Sequence, residues 1–182
     1  MTPLVFEALN WQHGVFMGAT MASERTAAQV GKQGEVRYDP MAMLPFCGYN
    51  MGDYFEHWLS MGKKMGKRAP KIFCVNWFRR DDQGKFLWPG YGENLRVIDW
   101  ILSRCHGETK AEETAIGLIP QKSDINLEGL DLPKENLGKL LNVNTAEWQE
   151  ELVRQGEFLK NFGDRLPNEL RKEHENLKNR LA

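Results

Sequence analysis

Cysteine is scarce in this chain. Cys47, Cys74 and Cys105 make an odd number, and none stands in a CxxC pair. That excludes a disulfide framework and points to reduced thiols in a cytosolic protein. No local grouping of His and Cys has zinc-ligand spacing. No uninterrupted apolar run approaches the length of a membrane span, and the start lacks the basic-then-apolar order of a secretory leader. Neither membrane insertion nor export is therefore expected. An excess of one charge is missing too. With 24 Lys and Arg against 25 Asp and Glu, the formal net charge of −1 offers no bulk field to nucleic acid or an anionic membrane.

What is present is an ordinary globular composition, 41% hydrophobic and 27% charged over 182 residues, enough for one domain with a core. No internal repeat or low-complexity tract occurs. Short strand-like segments come first and helical composition comes last, which predicts a mixed α/β or α+β fold over residues 1–182.

One stretch stands out, NWFRRDDQGKFLWPGYGENLRVIDW from Asn76 to Trp100. It gathers Trp77, Phe78, Phe86, Trp88, Tyr91 and Trp100 around Gly84, Gly90 and Gly92, and sets Glu93-Asn94 before a helix-like run. Flat apolar faces stack on bases, glycine lets backbone approach a ligand, and an amide carries both a donor and an acceptor. Those are the requirements for holding a purine. By residue type alone the aromatics read as those of a core before those of a ligand site, and Asn94 as a helix N-cap.

Along the chain, Pro3 to Ala8 predicts a strand and Val15 to Met17 a second short one. The lone His13 reads as a structural histidine. Residues 24–35 are polar and glycine-bearing and read as a loop. Val36 to Tyr38 predicts a strand, and Gly52 opens a helix with Tyr54, Phe55, Trp58 and Leu59 on its core face and His57 in solvent. Lys71 to Val75 predicts a strand, residues 79–84 a hairpin loop, and Lys85 to Trp88 the returning strand. Asn94 or Glu93 caps a helix from Leu95 to about Cys105, with apolar positions Leu95, Val97, Ile98, Ile101 and Leu102. Residues 107–113 read as a charged linker, Ile116 to Pro120 as a short apolar segment, and residues 124–133 as a loop packed down by Leu127, Leu130 and Leu132. Thr145 caps the first of the helices filling 145–182, with Trp148, Leu152, Phe158, Leu159 and Phe162 apolar; Leu170, Leu177 and Leu181 face inward later.

Two glycine motifs fail as phosphate sites. In Gly62 to Arg68 (GKKMGKR) the glycines are one residue too close and no Ser or Thr follows the lysine, so the charges read as a solvated turn. In Gly90-Tyr91-Gly92 the third glycine of a dinucleotide fingerprint is replaced by Leu95.

The word order of VNWFRRDDQGKFLWPGYGENLRV resembles the guanine-binding segment of GTP-dependent phosphoenolpyruvate carboxykinases. The resemblance extends to PLVFEALNWQHGVFMGATMASERTAA, to YDPMAMLPFCGYNMGDYFEHWL, and to Ala115-Ile116-Gly117 with Pro120. It implies the C-terminal, nucleotide-side lobe of that fold, ending in helices. It implies guanine-binding aromatics at Phe78, Phe86 and Tyr91, a base-edge amide at Asn94, and pocket main chain from Tyr91 through Gly92 and Glu93 to Asn94. It also implies a mobile lid at 24–35, carrying Glu24, Arg25, Thr26, Ala27, Ala28, Gly31 and Gly34.

The resemblance further implies the reaction of oxaloacetate and GTP to phosphoenolpyruvate, CO2 and GDP in gluconeogenesis, in a cytoplasmic and usually monomeric enzyme. The phosphate loop and the ligands for Mn2+ or Mg2+ belong to a preceding N-terminal portion. None of those words occurs here, and His13, His57, His106 and His174 lie in the wrong context for the metal histidine. No catalytic or metal-binding residue is expected in this chain. Its abrupt start is the expectation of a truncated or split reading frame that needs the N-terminal portion as partner. The alternative is a non-catalytic nucleotide-binding or interaction module, a relic of the enzyme.

Overall fold

The computed structural model describes residues 2–24 and 36–182. Two compact units divide the chain, one formed by residues 1–9, 71–148 and 181, the other by 10–70, 149–180 and 182. The secondary structure is mixed α/β, as the sequence predicts.

The first unit is built on a four-stranded sheet. Strand β1 (Val5–Glu7) is followed in this unit by β4 (Phe73–Val75), β5 (Glu112–Thr114) and β6 (Gly117–Ile119), in the order β4-β1-β6-β5 with antiparallel pairing throughout. Helices α3 (Asn94–His106) and α4 (Lys134–Leu141) belong to the same unit. Leu4, Val5, Leu87, Trp88, Val97, Trp100, Ile125, Leu137, Leu140 and Leu141 form one buried cluster, with Leu127, Leu130 and Leu132 packed on it as their spacing suggests. The centre of the sheet holds a charge. Glu7, 4% exposed, has one carboxylate oxygen on Lys71 Nζ at 2.7 Å and the other on Arg104 Nε at 2.6 Å. Both oxygens are thus met by cations, which is what lets a carboxylate sit in a dry place.

The second unit contains α1 (Trp11–Ala19), the two-stranded ladder of β2 (Ala22–Glu24) and β3 (Val36–Tyr38), α2 (Met51–Met65), most of α5 (Thr145–Leu159) and α6 (Asn168–Arg180). Helix α1 packs against α2 and α6. Phe55 and Leu59 of α2 are buried, Tyr54 and Trp58 half-buried and His57 exposed, as the helical spacing predicts. Phe162 meets Phe55 edge to face at 5.2 Å, and Tyr38 stacks on Phe158 at 4.4 Å.

Several expectations are corrected. Val15 to Met17 is not a strand but the middle of α1, because Asn10 Oδ1 accepts the His13 N–H at 2.9 Å and starts a helix there. The charged linker ends sooner than expected: Glu112 to Thr114 pair with Gly117 to Ile119, the apolar segment, as the β5–β6 hairpin, closed by Thr114 Oγ1 donating to Gly117 O at 2.7 Å. Helix α4 falls in residues 134–141, just past the expected loop, where spacing assigns no element. Thr145 is the first residue of α5 and not its cap: Asn144 Oδ1 accepts the N–H groups of Ala146 and Glu147. Lys85 to Trp88 returns along the hairpin, but with the single bridge Arg80–Phe86 rather than as a strand. Helix α3 occupies the expected stretch; of its residues Val97 and Trp100 are buried, while Leu95 and Leu102 stand 75% and 51% exposed.

Candidate guanine-binding site

The aromatic segment leaves β4 through an Asn-turn. Asn76 Nδ2 donates to Thr2 O at 3.0 Å, and its Oδ1 accepts the Phe78 N–H at 3.1 Å, which fixes the chain where Phe78 emerges. The hairpin beyond it is tied at its tip by Asp81, whose Oδ1 accepts the N–H groups of Gln83 and Lys85. Gly84 closes the tip at φ 79°, a left-handed angle that favours glycine.

Alternation along this ribbon sorts its side chains. Arg80 pairs with Phe86, so Phe78, Arg80 and Phe86 share one face. The Phe78 and Phe86 rings lie 6.1 Å apart at 62°, edge to face, and the Arg80 guanidinium sits 4.4 Å from the Phe86 ring centre. Phe78 and Phe86 remain 70% and 47% exposed. Leu87 is on the opposite face and buried, and Arg79 turns that way to donate to Asn142 O at 2.9 Å.

Pro89 and Gly90 then turn the chain, Gly90 at φ 125°. A 3-10 turn over Tyr91, Gly92 and Glu93 runs into α3. Tyr91 is 92% exposed. A Cβ on Gly90 or Gly92 would meet no atom within 4 Å, so the main chain there is open to approach.

Asn94 is the first residue of α3, with helical angles φ −61° and ψ −28°, and it does not cap the helix. Glu93 occupies the cap position without a side-chain cap bond, and its Oε2 instead accepts from Arg96 Nε at 2.6 Å. The Asn94 Oδ1 accepts the indole N–H of buried Trp88 at 2.9 Å.

Phe78 and Phe86 are therefore brought together, with Asn94 tied into the core by Trp88. Their edge-to-face arrangement is closed to a ring inserted between them. A flat heterocycle sandwiched there needs near-parallel faces about 7 Å apart, twice a stacking distance. Their exposed faces are free to stack as they stand.

Sequence reasoning overlooked Arg80 and the Trp88–Asn94 bond. Period-2 alternation from Phe78 would have found Arg80. A buried tryptophan N–H demands an acceptor, but nothing in the spacing names Asn94 as that acceptor.

A cavity of about 420 Å3 opens beside the hairpin. Arg79, Arg80 and Lys139 line it together with Asp81, Asp82 and Glu147, three formal charges of each sign, so it offers no net attraction to phosphate. The GKKMGKR motif forms the C-terminal turn of α2 and the 3-10 turn after it. Free carbonyls, not N–H groups, gather at a helix C-terminus, which disqualifies it as a phosphate cradle. Of the residues expected to form a lid, Glu24 ends β2 opposite Val36. Arg25, Thr26, Ala27, Ala28, Gly31 and Gly34 lie outside the described residues.

Residues 1–180 match the family described as phosphoenolpyruvate carboxykinase C-terminal P-loop domain. The chain belongs to the GTP-dependent phosphoenolpyruvate carboxykinase family. It is 54% identical over 166 residues to the phosphoenolpyruvate carboxykinase (GTP) of Chlamydia caviae, covering 91% of this chain and 28% of that protein. It is 51% identical over 180 residues to the protein of the same name in Chlamydia abortus, covering 98% and 30%. The namesake in Corynebacterium kroppenstedtii is 49% identical over 180 residues, covering 98% and 29%. The chain thus spans about 30% of the length of these curated relatives. Among the described residues no helix is long and apolar enough to cross a membrane.

Proposed function

We propose that this chain is the guanine-binding part of a GTP-dependent phosphoenolpyruvate carboxykinase, the enzyme that turns oxaloacetate and GTP into phosphoenolpyruvate, CO2 and GDP. Phe78, Phe86 and Tyr91 supply the aromatic surface, and the base stacks on one exposed face of it. Its edge is read by the Asn94 amide, and the open main chain from Tyr91 through Gly92 and Glu93 lies alongside. The observation that carries this reading is the Asn94 carboxamide held by a buried indole, in the same segment as an exposed aromatic pair. An amide meant only to cap α3 would accept a helix N–H instead.

The divalent metal that the family implies does not fit the described residues. No three His, Cys, Asp or Glu among them gather as ligands. Glu7 is committed to Lys71 and Arg104, and Asp53 to Arg165 at 2.8 Å. Phosphoryl transfer requires metal and cationic clamps on the phosphates. We assign these to residues outside this chain, and the chain alone is inactive.

Two measurements test the reading. NMR titration of the chain with GDP and ADP should show guanine preference that disappears in Asn94→Ala; equal affinities in the parent chain would refute it. Incubation with oxaloacetate, GTP and Mn2+ should yield no phosphoenolpyruvate, and metal-dependent turnover would refute the division of labour.

A further inference from the structure

We infer that Trp88 is a specificity-determining positioning residue: its indole N–H holds the Asn94 amide in one orientation, and that restraint makes the site prefer guanine to adenine. The inference rests on the proposed role of Asn94 and adds the residue that sets its selectivity.

A side-chain carboxamide has a broad, two-fold terminal torsion, so turning it by 180° exchanges its oxygen and its NH2 group. Guanine presents an acceptor, O6, beside the N1–H donor. Adenine presents the reverse, the N6 amino donor beside the N1 acceptor. A freely turning amide can therefore satisfy either edge, and stacking discriminates little between bases. An aromatic site with an unrestrained asparagine reads purines without choosing well between them.

Here the amide is restrained. The indole N–H is a donor with no acceptor capacity, so the Asn94 atom 2.9 Å from Trp88 Nε1 must be the oxygen. Turning the amide would bring its NH2 group against the indole N–H, donor against donor. Trp88 is 2% exposed, so solvent offers its N–H little replacement. Leaving such a donor unmet disfavours the turned state by about ten- to a hundredfold.

Both ends of the bond are anchored. Trp88 lies in the buried cluster of the first unit, and Asn94 begins α3 with helical backbone angles. Among the described residues the Asn94 NH2 group has no protein acceptor, and its oxygen keeps a second lone pair. The donor–acceptor pair left over is the complement of guanine O6 and N1–H.

The test is Trp88→Phe in the 182-residue chain. GDP and ADP are titrated by 1H–15N NMR, which reads millimolar dissociation constants. Phenylalanine keeps an aromatic core residue but has no N–H. The expected result is at least a tenfold fall in the GDP:ADP affinity ratio, arising mainly from tighter ADP binding. A merely structural residue would weaken both ligands alike and leave the ratio unchanged, which would overturn the inference. If the parent chain itself shows no guanine preference, the base-reading role of Asn94 fails and this inference with it. If Asn94→Ala abolishes a preference that Trp88→Phe retains, only the inference fails. Should Trp88→Phe not fold, hydrogen exchange of the Trp88 indole N–H in the parent chain with GDP decides. Protection that is lost in Asn94→Ala supports the restraint; free exchange overturns it.

Discussion

The indole of Trp11 lies against Gly62 so closely that a Cβ on the glycine would stand 2.1 Å from Trp11 Cδ1. The ring is not free to retreat, because its Nε1 donates to Trp58 O at 2.8 Å. On an open helix, Gly→Ala stabilises by about 1 kcal/mol. At this position the sign reverses. Gly62→Ala should destabilise the chain by about 1–3 kcal/mol through overpacking, read as a lower urea midpoint. A midpoint equal to or above the parent's would show that Trp11 gives way. The glycine that lent GKKMGKR its likeness to a phosphate loop is thus explained by packing.

Glu7 provides a second test. Each of its oxygens faces a different cation, so a glutamine amide must turn an NH2 group toward either Lys71 or Arg104. Glu7→Gln should cost about 3 kcal/mol, because it leaves the guanidinium of Arg104, itself largely buried, poorly compensated. Lys71 is 39% exposed, and Lys71→Ala should cost under about 1 kcal/mol. Urea unfolding of the two variants checks the contrast. Equal losses would mean that the Arg104 partner carries no special weight.

His13 makes stability depend on pH. Burial, and to a smaller extent the charge of Arg180, pulls its imidazole from 6.5 down to about 4. Between those values the unfolded chain holds a proton that the folded chain does not. Stability therefore rises with pH through this window and is lost on acidification, by about 3 kcal/mol once pH falls below the folded value. Urea titrations from pH 4 to 7 should give a steeper rise for the parent than for His13→Gln. Parallel curves would assign the acid sensitivity to other groups.

The parts of this fold that were legible in the sequence are those where one face is apolar and the other is not. Phe55 and Leu59 on α2, and Leu170 and Leu177 on α6, declared their helices by spacing alone. Strand β5 did not declare itself, because Glu112-Glu113-Thr114 has no buried face to produce alternation. Helix α1 was misread because Val15-Phe16-Met17 has the apolar, partly β-branched look of a strand, and the decisive Asn10 cap precedes the run. Helix α4 starts after Pro133 with no side-chain cap bond and carries Gly138 inside, so its start and stop signals are weak. At the candidate site, word order located the segment from Asn76 to Asn94. The bond between Trp88 and Asn94 needs a fold to bring it about.

Phe78 separates binding from stability at that site. Its ring is 70% exposed and touches Phe86 edge to face, so Phe78→Ala removes little buried surface and should shift stability by no more than about 0.5 kcal/mol. The same change deletes a stacking face. If guanine rests on it, GDP affinity should fall by about 1–3 kcal/mol, five- to 150-fold. Phe86→Ala should lower affinity comparably but also destabilise the hairpin, since its ring anchors both Phe78 and the Arg80 guanidinium. NMR titration with GDP alongside urea unfolding reads both quantities for each variant. GDP affinity unchanged in Phe78→Ala would remove that ring from the site and leave Phe86, Tyr91 and the Asn94 amide to hold the base, an arrangement that no edge-to-face pair is needed to explain.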